Sequence, residues 1–389
     1  MKLKKYILVN TSESEKNNRL LTIIRNEMKN PLWIKNILNN SKGFIDFINK
    51  NHSTSKFTVE VQNLDEIDKG AINLIFEYNL LISFRKSCQR ISIICKRYLP
   101  FFKKNTGIKI LEKTSVRGFS EYKFAQIFES RLKKFRKVSV IPIISYESEK
   151  NILIQSKIGD KYKICMDEDI DPSLHIHISS ILGRAIATIH SRLDSSDRKL
   201  ERPILRGNQL MFNSKYLSLF LKNDIFQKEF KKFVECTKNN PRVLIHGDLS
   251  PKNVFVNEKG GVVLFDFEES NYDDPCVDIS RWLGNYAVLS LYRREGKKYI
   301  QSIRAFINSY QQTIESSNTQ WDVKKLLDFS IKYVGIFLIY RSETLKFVNI
   351  PESRPLTTLL VHLGKKCFLS NSHSIGKFFQ LLNCHMSNS

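Results

Sequence analysis

The chain has 389 residues, of which 42% belong to the apolar class, and its formal net charge at neutral pH is +23. This apolar content is sufficient for folded cores, so the composition excludes a disordered chain and predicts two domains. The 7 cysteines form no Cys-x-x-Cys pair, which excludes a disulfide framework and a zinc site and predicts reduced thiols.

The charge and the apolar stretches also predict a location and a class of partner. No run of residues reaches the ~18–20 apolar residues of a membrane helix, and the N-terminal segment turns polar before a secretory signal would be complete. We therefore expect a cytoplasmic protein. The basic charge predicts attraction to an anionic partner, so a peripheral position at the inner membrane surface is the alternative. Because the basic clusters at 132–137, 220–233 and 293–298 are scattered, we expect no specific nucleic acid.

In chain order, the first half combines helical and strand-like segments. Residues 1–55 predict short amphipathic helices, from apolar groups at 20–24, 33–38 and 44–48. The next segments are rich in β-branched and aromatic residues, as strands are, at 57–62, 72–84 and 90–99. A helical segment at 119–136 precedes two further strands, at 138–146 and 151–158.

Beyond Gly159, which we interpret as a hinge, the pattern is mostly helical, with one interruption at 243–270. Within that block, strands at 254–256 and 262–265 flank the turn signal NEKGG. The sequence therefore predicts an α+β fold of two lobes, a β-rich N-lobe and a mostly helical C-lobe. The predicted domains are a helical extension, the N-lobe and the C-lobe, at 1–55, 56–158 and 159–389.

Three oxygen-bearing side chains distinguish the 243–270 block. Asp248 lies in the tripeptide HGD, Asn253 follows five residues later, and Asp266 begins DFE after the predicted hairpin. A single aspartate is more often a helix cap or a surface residue, but a loop and a hairpin at this spacing would bring the three together. Phosphoryl transfer requires hard oxygen ligands for metal ions and a positioned carboxylate for the acceptor hydroxyl. The spacing therefore predicts a phosphotransfer site.

The segment HGDLSPKNVFV…VVLFDFEESNYDDPCVDISRWL resembles the aminoglycoside phosphotransferase and choline kinase family, a branch of the protein-kinase-like fold. The resemblance extends over roughly 70–370 and is strongest in the C-lobe. It implies that Asp248 orients or deprotonates the acceptor hydroxyl, that Asn253 and Asp266 bind Mg²⁺, and that His246 braces the loop. Asp278, in DPCVD, would support the lobe or cap a helix.

In the N-lobe, the resemblance implies a lysine that neutralises the nucleotide phosphates. Lys96, at the end of ISIICKRYLP, is our choice, with Lys109 and Lys113 as rivals in GIKILEK. The acidic partner of this lysine would be Glu121, with Glu129 as the second candidate.

The segment KGAINLIFEY resembles the degenerate glycine strand-turn of the family. Gly70 and Asn73 would then contact the nucleotide in place of a complete glycine-rich loop. Lys252 would help to bind phosphates or simply be a solvated loop lysine.

The function implied by the resemblance is an ATP- and Mg²⁺-dependent kinase that phosphorylates a hydroxyl of a small molecule or sugar. A sugar kinase acting on lipopolysaccharide or another glycolipid at an anionic membrane surface is one alternative. A catalytically silent, nucleotide-binding module is the other. For the acceptor, the aromatic residues Trp282, Tyr286 and Tyr292 would line a pocket or form part of the core.

Overall fold

A computed structural model of the chain describes residues 11–51, 56–68, 73–85, 87–99, 101–104, 107–110, 114–192, 222–238, 240–293, 295–317, 319–345, 353–370 and 374–386. The chain divides into two compact units. The first comprises residues 1–126 and 141–159, and the second comprises residues 127–140 and 160–389. No helix within the described ranges is both long and apolar enough to cross a membrane. The predicted division into a helical extension, an N-lobe and a C-lobe, with boundaries after residues 55 and 158, stays a prediction.

The first unit is built on a five-stranded antiparallel sheet. Its helices and strands, in chain order, are α1 (Thr11–Met28), α2 (Pro31–Asn40), α3 (Lys42–Asn51), β1 (Phe57–Asp68), β2 (Asn73–Phe84), β3 (Cys88–Tyr98), β4 (Phe101–Lys104), β5 (Gly107–Ile110), α4 (Thr114–Leu132, which continues into the second unit), β7 (Ile143–Glu147) and β8 (Ile152–Ser156). The strand order of the sheet is β1-β2-β3-β8-β7, and β4 and β5 form a separate hairpin.

The core of the first unit lies between this sheet and the N-terminal helices. Alternate residues of β2 are buried, as expected for a strand with one face against a core. They share a hydrophobic cluster with residues of α1, α2 and α3. The contact with α3 is close, because Gly43 has no side chain and an added Cβ would lie 2.6 Å from Ser145 of β7.

The second unit is mostly helical and contains two small sheets. Its helices and strands are β6 (Val138–Val140), β9 (Lys163–Ile164), α5 (Pro172–His190), α6 (Asp224–Thr237), β10 (Val243–Ile245), β11 (Val254–Val256), β12 (Val262–Leu264), β13 (Asn271–Asp273), α7 (Cys276–Tyr292), α8 (Gly296–Glu315), α9 (Val323–Arg341), α10 (Arg354–Leu369) and α11 (Ile375–Met386). The strands pair as β6-β12-β11-β9 and β10-β13. Single turns of 3₁₀-helix occupy Pro251–Asn253 and Phe267–Glu269.

The predicted α+β class is confirmed, with the large sheet in the first unit and most helices in the second. One strand prediction was wrong in detail, since residues 138–146 form two strands, β6 and β7, and not one. Pro142 lies between them and has no N–H to donate to a continuous ladder. The two strands then join different sheets, because β6 pairs in parallel with β12 and β7 pairs with β8.

Candidate active site

The HGD loop begins where β10 ends, and its glycine is required by the local backbone. Gly247 has a φ of +81°, in the left-handed region that glycine adopts readily. A Cβ at this position would lie 2.1 Å from the backbone oxygen of Glu269. The close approach of the DFE segment to the loop therefore depends on the absence of a side chain.

Asp278, in the first turn of α7, anchors the backbone of this loop. Its Oδ2 accepts a hydrogen bond from the backbone N–H of His246 and its Oδ1 accepts one from Gly247, each at 2.8 Å. The same Oδ2 lies 3.3 Å from Nε2 of His190. The Asp278 side chain is fully buried. Asp278 thus supports the loop by holding two consecutive backbone donors.

His246 connects the loop to the DFE segment. Its Nε2 lies 3.1 Å from the carbonyl oxygen of Phe265, and its ring packs against Phe267 and Phe128, with centroid separations of 4.8 and 6.0 Å. Burial lowers the pKa of His246, so the imidazole is neutral near pH 7. A neutral ring that donates through Nε2 to a carbonyl is suited to bracing the loop rather than to moving a proton.

Asp248 lies at the end of the HGD tripeptide with both carboxylate oxygens engaged. Its Oδ2 accepts from Nδ2 of Asn253 and lies close to Nζ of Lys252, both at 2.9 Å. Its Oδ1 accepts from Nη1 of Arg281 at 2.5 Å. Burial would raise the pKa of Asp248, but the positive charges of Lys252, Arg281 and, more weakly, Arg341 lower it well below its usual range. The carboxylate is therefore ionised throughout the neutral pH range.

The amide of Asn253 is oriented by Asp248. Its Nδ2 donates both to the Asp248 carboxylate and to the Asp248 backbone oxygen, each at 2.9 Å. Because both amide hydrogens are used, Oδ1 of Asn253 points away from Asp248. An amide oxygen of this kind is one that a hard metal ion can use as a ligand.

Asp266 follows β12 in a left-handed conformation, with a φ of +66° and a ψ of +60°. This conformation is uncommon for a residue other than glycine, and such residues are concentrated at functional sites. The negative charge of Asp266 acts on a residue of the HGD loop. The pKa of Lys252 is raised mainly by Asp248 and, to a smaller extent, by Asp266. The structure thus brings Asp248 and Asn253 into contact and places the Asp266 charge near the same lysine.

Sequence reasoning missed the arginines of this site. Arg281 lies on α7 and reaches Asp248, while Arg341 lies at the end of α9 and donates to Oδ1 of Asn285 at 3.2 Å. Nδ2 of Asn285 in turn donates to the backbone oxygen of Arg281 at 2.7 Å. Arg281 could have been suspected, since it follows Asp278 in DISR by three residues, about one helical turn. The sequence contains no comparable signal for Arg341.

In the first unit, the structure brings Lys96 and Glu121 together. Nζ of Lys96, on β3, lies 2.8 Å from Oε2 of Glu121, on α4, and the side chains are only 8% and 2% exposed. The hydroxyl of Tyr98 donates to the same carboxylate oxygen. Asn73, at the start of β2, accepts from Nη2 of Arg117 at 3.4 Å.

The remaining candidates of the first lobe are not all described. Gly70 and Lys113 lie outside the described residues, and Lys109 is described only as part of the backbone of β5. Glu129, the alternative partner, is exposed on α4.

Of the three aromatic residues of α7 named above, Trp282 and Tyr286 belong to the core, whereas Tyr292 is only partly buried. Trp282 and Tyr286 are both fully buried, and their rings lie 4.9 Å apart. Nε1 of Trp282 donates to Ser179 at 3.3 Å, and the hydroxyl of Tyr286 lies 2.9 Å from Nδ1 of His175. Of the two interpretations of this stripe, packing against α5 is the one that the structure supports.

Comparison with known proteins bears on the same region. Residues 174–305, which include the HGD loop, the DFE segment and Asp278, match the model of the phosphotransferase enzyme family. The resemblance to this family is therefore confirmed for that part of the chain. Human ethanolamine kinase 1 is 34% identical over 107 residues, which are 26% of this chain and 24% of that protein. The match thus spans about a quarter of the length of this curated relative.

Two solved structures are similar in fold at low identity. One is an amicoumacin kinase in complex with AMP-PNP and Ca²⁺, at 15% identity and a TM-score of 0.48, with 82% of this chain and 91% of that chain covered. The other is a choline kinase from Streptococcus pneumoniae, at 15% identity and a TM-score of 0.45, with 83% and 98% covered.

Proposed function

We propose that this protein is a kinase that transfers the γ-phosphate of ATP to a hydroxyl group of an acceptor, with Mg²⁺ as the metal ion. The observation that carries the proposal is the fixed Asp248 carboxylate, which contacts Asn253 at 2.9 Å within a loop whose backbone is held by buried Asp278. The match of residues 174–305 to the phosphotransferase family supports the same reaction class.

In this reaction the acceptor oxygen forms a bond to the γ-phosphorus while the bond from that phosphorus to the bridging oxygen of ADP breaks. The hydroxyl proton leaves as the new bond forms. Asp248 is held ionised by its cationic neighbours, so it is a weak base. Its role is to accept a hydrogen bond from the hydroxyl, to align the nucleophile and to take the proton late, before passing it to water.

The oxygen donors needed for the metal are Oδ1 of Asn253 and the carboxylate of Asp266. Their chemistry fits, because Mg²⁺ prefers hard oxygen ligands and is commonly bound by one or two such side chains together with substrate phosphates. When bound, the ion supplies positive charge to the phosphate oxygens. Lys96 adds charge to the nucleotide phosphates in our proposal, with its ammonium group oriented by Glu121 at 2.8 Å.

The test is the substitution Asp248→Asn, which keeps the shape of the side chain and removes its charge. We expect a loss of turnover of about 10²–10⁴-fold with nucleotide affinity retained, because alignment of the hydroxyl is lost while the nucleotide contacts remain. Turnover is measured with labelled ATP and Mg²⁺ against sugars, amino alcohols, aminoglycosides and lipids. Asp224→Asn, an exposed carboxylate on α6, is the matched control.

Two results would overturn the proposal. Full turnover in the Asp248→Asn variant would mean that this carboxylate does not act on the acceptor. Nucleotide binding by the wild-type protein without transfer to any acceptor or to water would instead favour a silent nucleotide-binding module.

A further inference from the structure

Three cationic side chains surround the carboxylate of Asp248, and we call them the basic cluster: Lys252, Arg281 and Arg341. Lys252 and Arg281 contact the two carboxylate oxygens at 2.9 and 2.5 Å. Arg341 contacts neither oxygen in this way, but its positive charge interacts electrostatically with both Asp248 and Arg281. Asp248 and Asp266, whose charge acts on Lys252, supply two negative charges against these three positive ones, so the surroundings of the proposed acceptor hydroxyl carry an excess of one positive charge.

The two arginines of the cluster are buried with unused donors. Arg281 is 7% exposed and Arg341 is 4% exposed. The Nε atom of each is buried and has no hydrogen-bond acceptor among the described residues. Buried polar groups in folded proteins are nearly always hydrogen-bonded, and an unpaired donor costs free energy. Two such donors, one of them on an arginine that contacts the reactive carboxylate, indicate a place for an acceptor of hydrogen bonds.

The guanidinium group of each arginine is held by one hydrogen bond, from Arg281 to Asp248 at 2.5 Å and from Arg341 to Asn285 at 3.2 Å. Asn285 accepts from Arg341 at 3.2 Å and donates to the backbone oxygen of Arg281 at 2.7 Å, so it links α9 to α7. The guanidinium group of Arg341 additionally lies over the ring of Phe337, 4.9 Å from its centroid. Lys252, whose side chain is 36% exposed, provides the solvent-facing side of the cluster. Guanidinium groups are well suited to the planar or tetrahedral oxyanions of carboxylates and phosphates.

We propose that the basic cluster binds an anionic group of the acceptor, so that the acceptor is an alcohol that carries a phosphate or a carboxylate. This inference rests on the proposed function and names the substrate class of the same site. Three positive charges would repel a cationic amino alcohol or aminoglycoside. Two of the three aromatic residues of α7 that could have formed a cage for a quaternary ammonium group, Trp282 and Tyr286, are packed in the core.

The first test uses wild-type protein and two series of related acceptors, whose members are neutral, anionic or cationic. One series is glycerol, glycerol 3-phosphate, glyceric acid and 3-amino-1,2-propanediol; the second is glucose, glucose 6-phosphate, glucuronic acid and glucosamine. We expect kcat/KM for the phosphate or carboxylate member to exceed that for the neutral member by at least about tenfold, and the cationic member to be the poorest. The two anionic members of each series distinguish phosphate from carboxylate recognition.

The second test separates binding from catalysis with variants of Arg341. Arg341→Gln should raise KM for the anionic acceptor by about 10- to 100-fold, the range for a lost hydrogen bond to a charged group. The fall in kcat/KM should be at least about tenfold larger for the anionic acceptor than for the neutral acceptor. Arg341→Lys keeps the charge and should recover part of the loss. Arg184→Gln, which removes an exposed arginine on α5, is the matched control, and melting temperatures verify that each variant is folded.

The outcomes separate this inference from the proposed function. Equal or better kcat/KM for the neutral or cationic members refutes the anionic acceptor while leaving a kinase. The anionic acceptor is also refuted if ATP is hydrolysed but no phosphate is transferred to any anionic member. An unchanged KM for the anionic acceptor in Arg341→Gln refutes it as well. If Arg341→Gln does not fold, the charge series on the wild-type protein decides alone. Absence of any ATP turnover by the wild-type protein refutes the kinase itself.

Discussion

The substitution Asp278→Asn converts one buried oxygen of the loop anchor into an NH₂ group at constant size. In the structure, each carboxylate oxygen accepts one backbone N–H at 2.8 Å, from His246 and from Gly247. Asparagine can accept only one of these, and its NH₂ group then faces the other donor. A lost charge-assisted hydrogen bond costs about 1.5–3 kcal/mol and an unsatisfied buried donor about 1–3 kcal/mol. The free energy of unfolding should therefore fall by about 2.5–6 kcal/mol.

The assay is urea unfolding at pH 7, followed by circular dichroism and tryptophan fluorescence, with phosphoryl transfer measured on the folded variant. Asp224→Asn is the control, because Asp224 also lies in the first turn of a helix, α6, but is exposed. It should unfold at nearly the wild-type urea concentration. If the Asp278→Asn variant unfolds at the same urea concentration as this control, the idea that the carboxylate anchors the loop is refuted.

Three further predictions concern the same two units. Gly247→Ala should lower the melting temperature and abolish turnover, because the added Cβ would lie 2.1 Å from the backbone oxygen of Glu269; a wild-type melting temperature would contradict this. Glu121→Gln removes the carboxylate 2.8 Å from buried Lys96 and should lower the free energy of unfolding by about 3 kcal/mol, so an unchanged urea midpoint would argue against the pair. Burial lowers the pKa of His175 to about 4, so the unfolded chain binds a proton between pH ~6.5 and pH ~4 that the native state does not. Stability should fall by up to about 3 kcal/mol as the pH decreases through this window, and a His175→Gln variant with the wild-type pH dependence would disprove the assignment.

Controls for these variants are available in the chain. For Gly247→Ala, the control is Gly159→Ala, since a Cβ on Gly159 would meet no atom within 4 Å. For Glu121→Gln, the control is Glu129→Gln, which alters an exposed carboxylate of the same helix. For His175→Gln, urea titrations of the variant and the wild-type protein at a series of pH values compare the two slopes directly.

Much of the local structure could be predicted from the sequence, because it depends on short-range patterns. Strands at 254–256 and 262–265 were predicted from β-branched residues around the turn NEKGG, and the structure has them at Val254–Val256 and Val262–Leu264. The break in 138–146 was missed, although Pro142 was visible. A proline interrupts a ladder, but the sequence alone does not indicate that the two halves join different sheets.

The residues of the candidate site can also be divided into those that the sequence predicts and those that only the structure identifies. The contact between Asp248 and Asn253 at 2.9 Å was predictable, because a loop of five residues connects them, and the convergence of Asp266 on the same point stays a prediction. From the sequence, Lys96 and Glu121 were two candidates among several charged residues. The structure places Nζ of Lys96 on β3 2.8 Å from Oε2 of Glu121 on α4. Their pairing therefore depends on the packing of α4 near β3, which the sequence does not specify.

The sequence by itself determined the class of fold, the HGD loop and the family resemblance, all of which reside in contiguous segments. Only the tertiary structure decided that Arg281 and Arg341 lie near Asp248. Arg341 is 93 residues away in the chain, and it approaches Arg281 because α7 and α9 pack together and Asn285 links them. The charge of each side chain can be read from the sequence. The electrostatic field at a carboxylate, however, is the sum of the fields of all charges near it in space. Helix packing determines which charges those are.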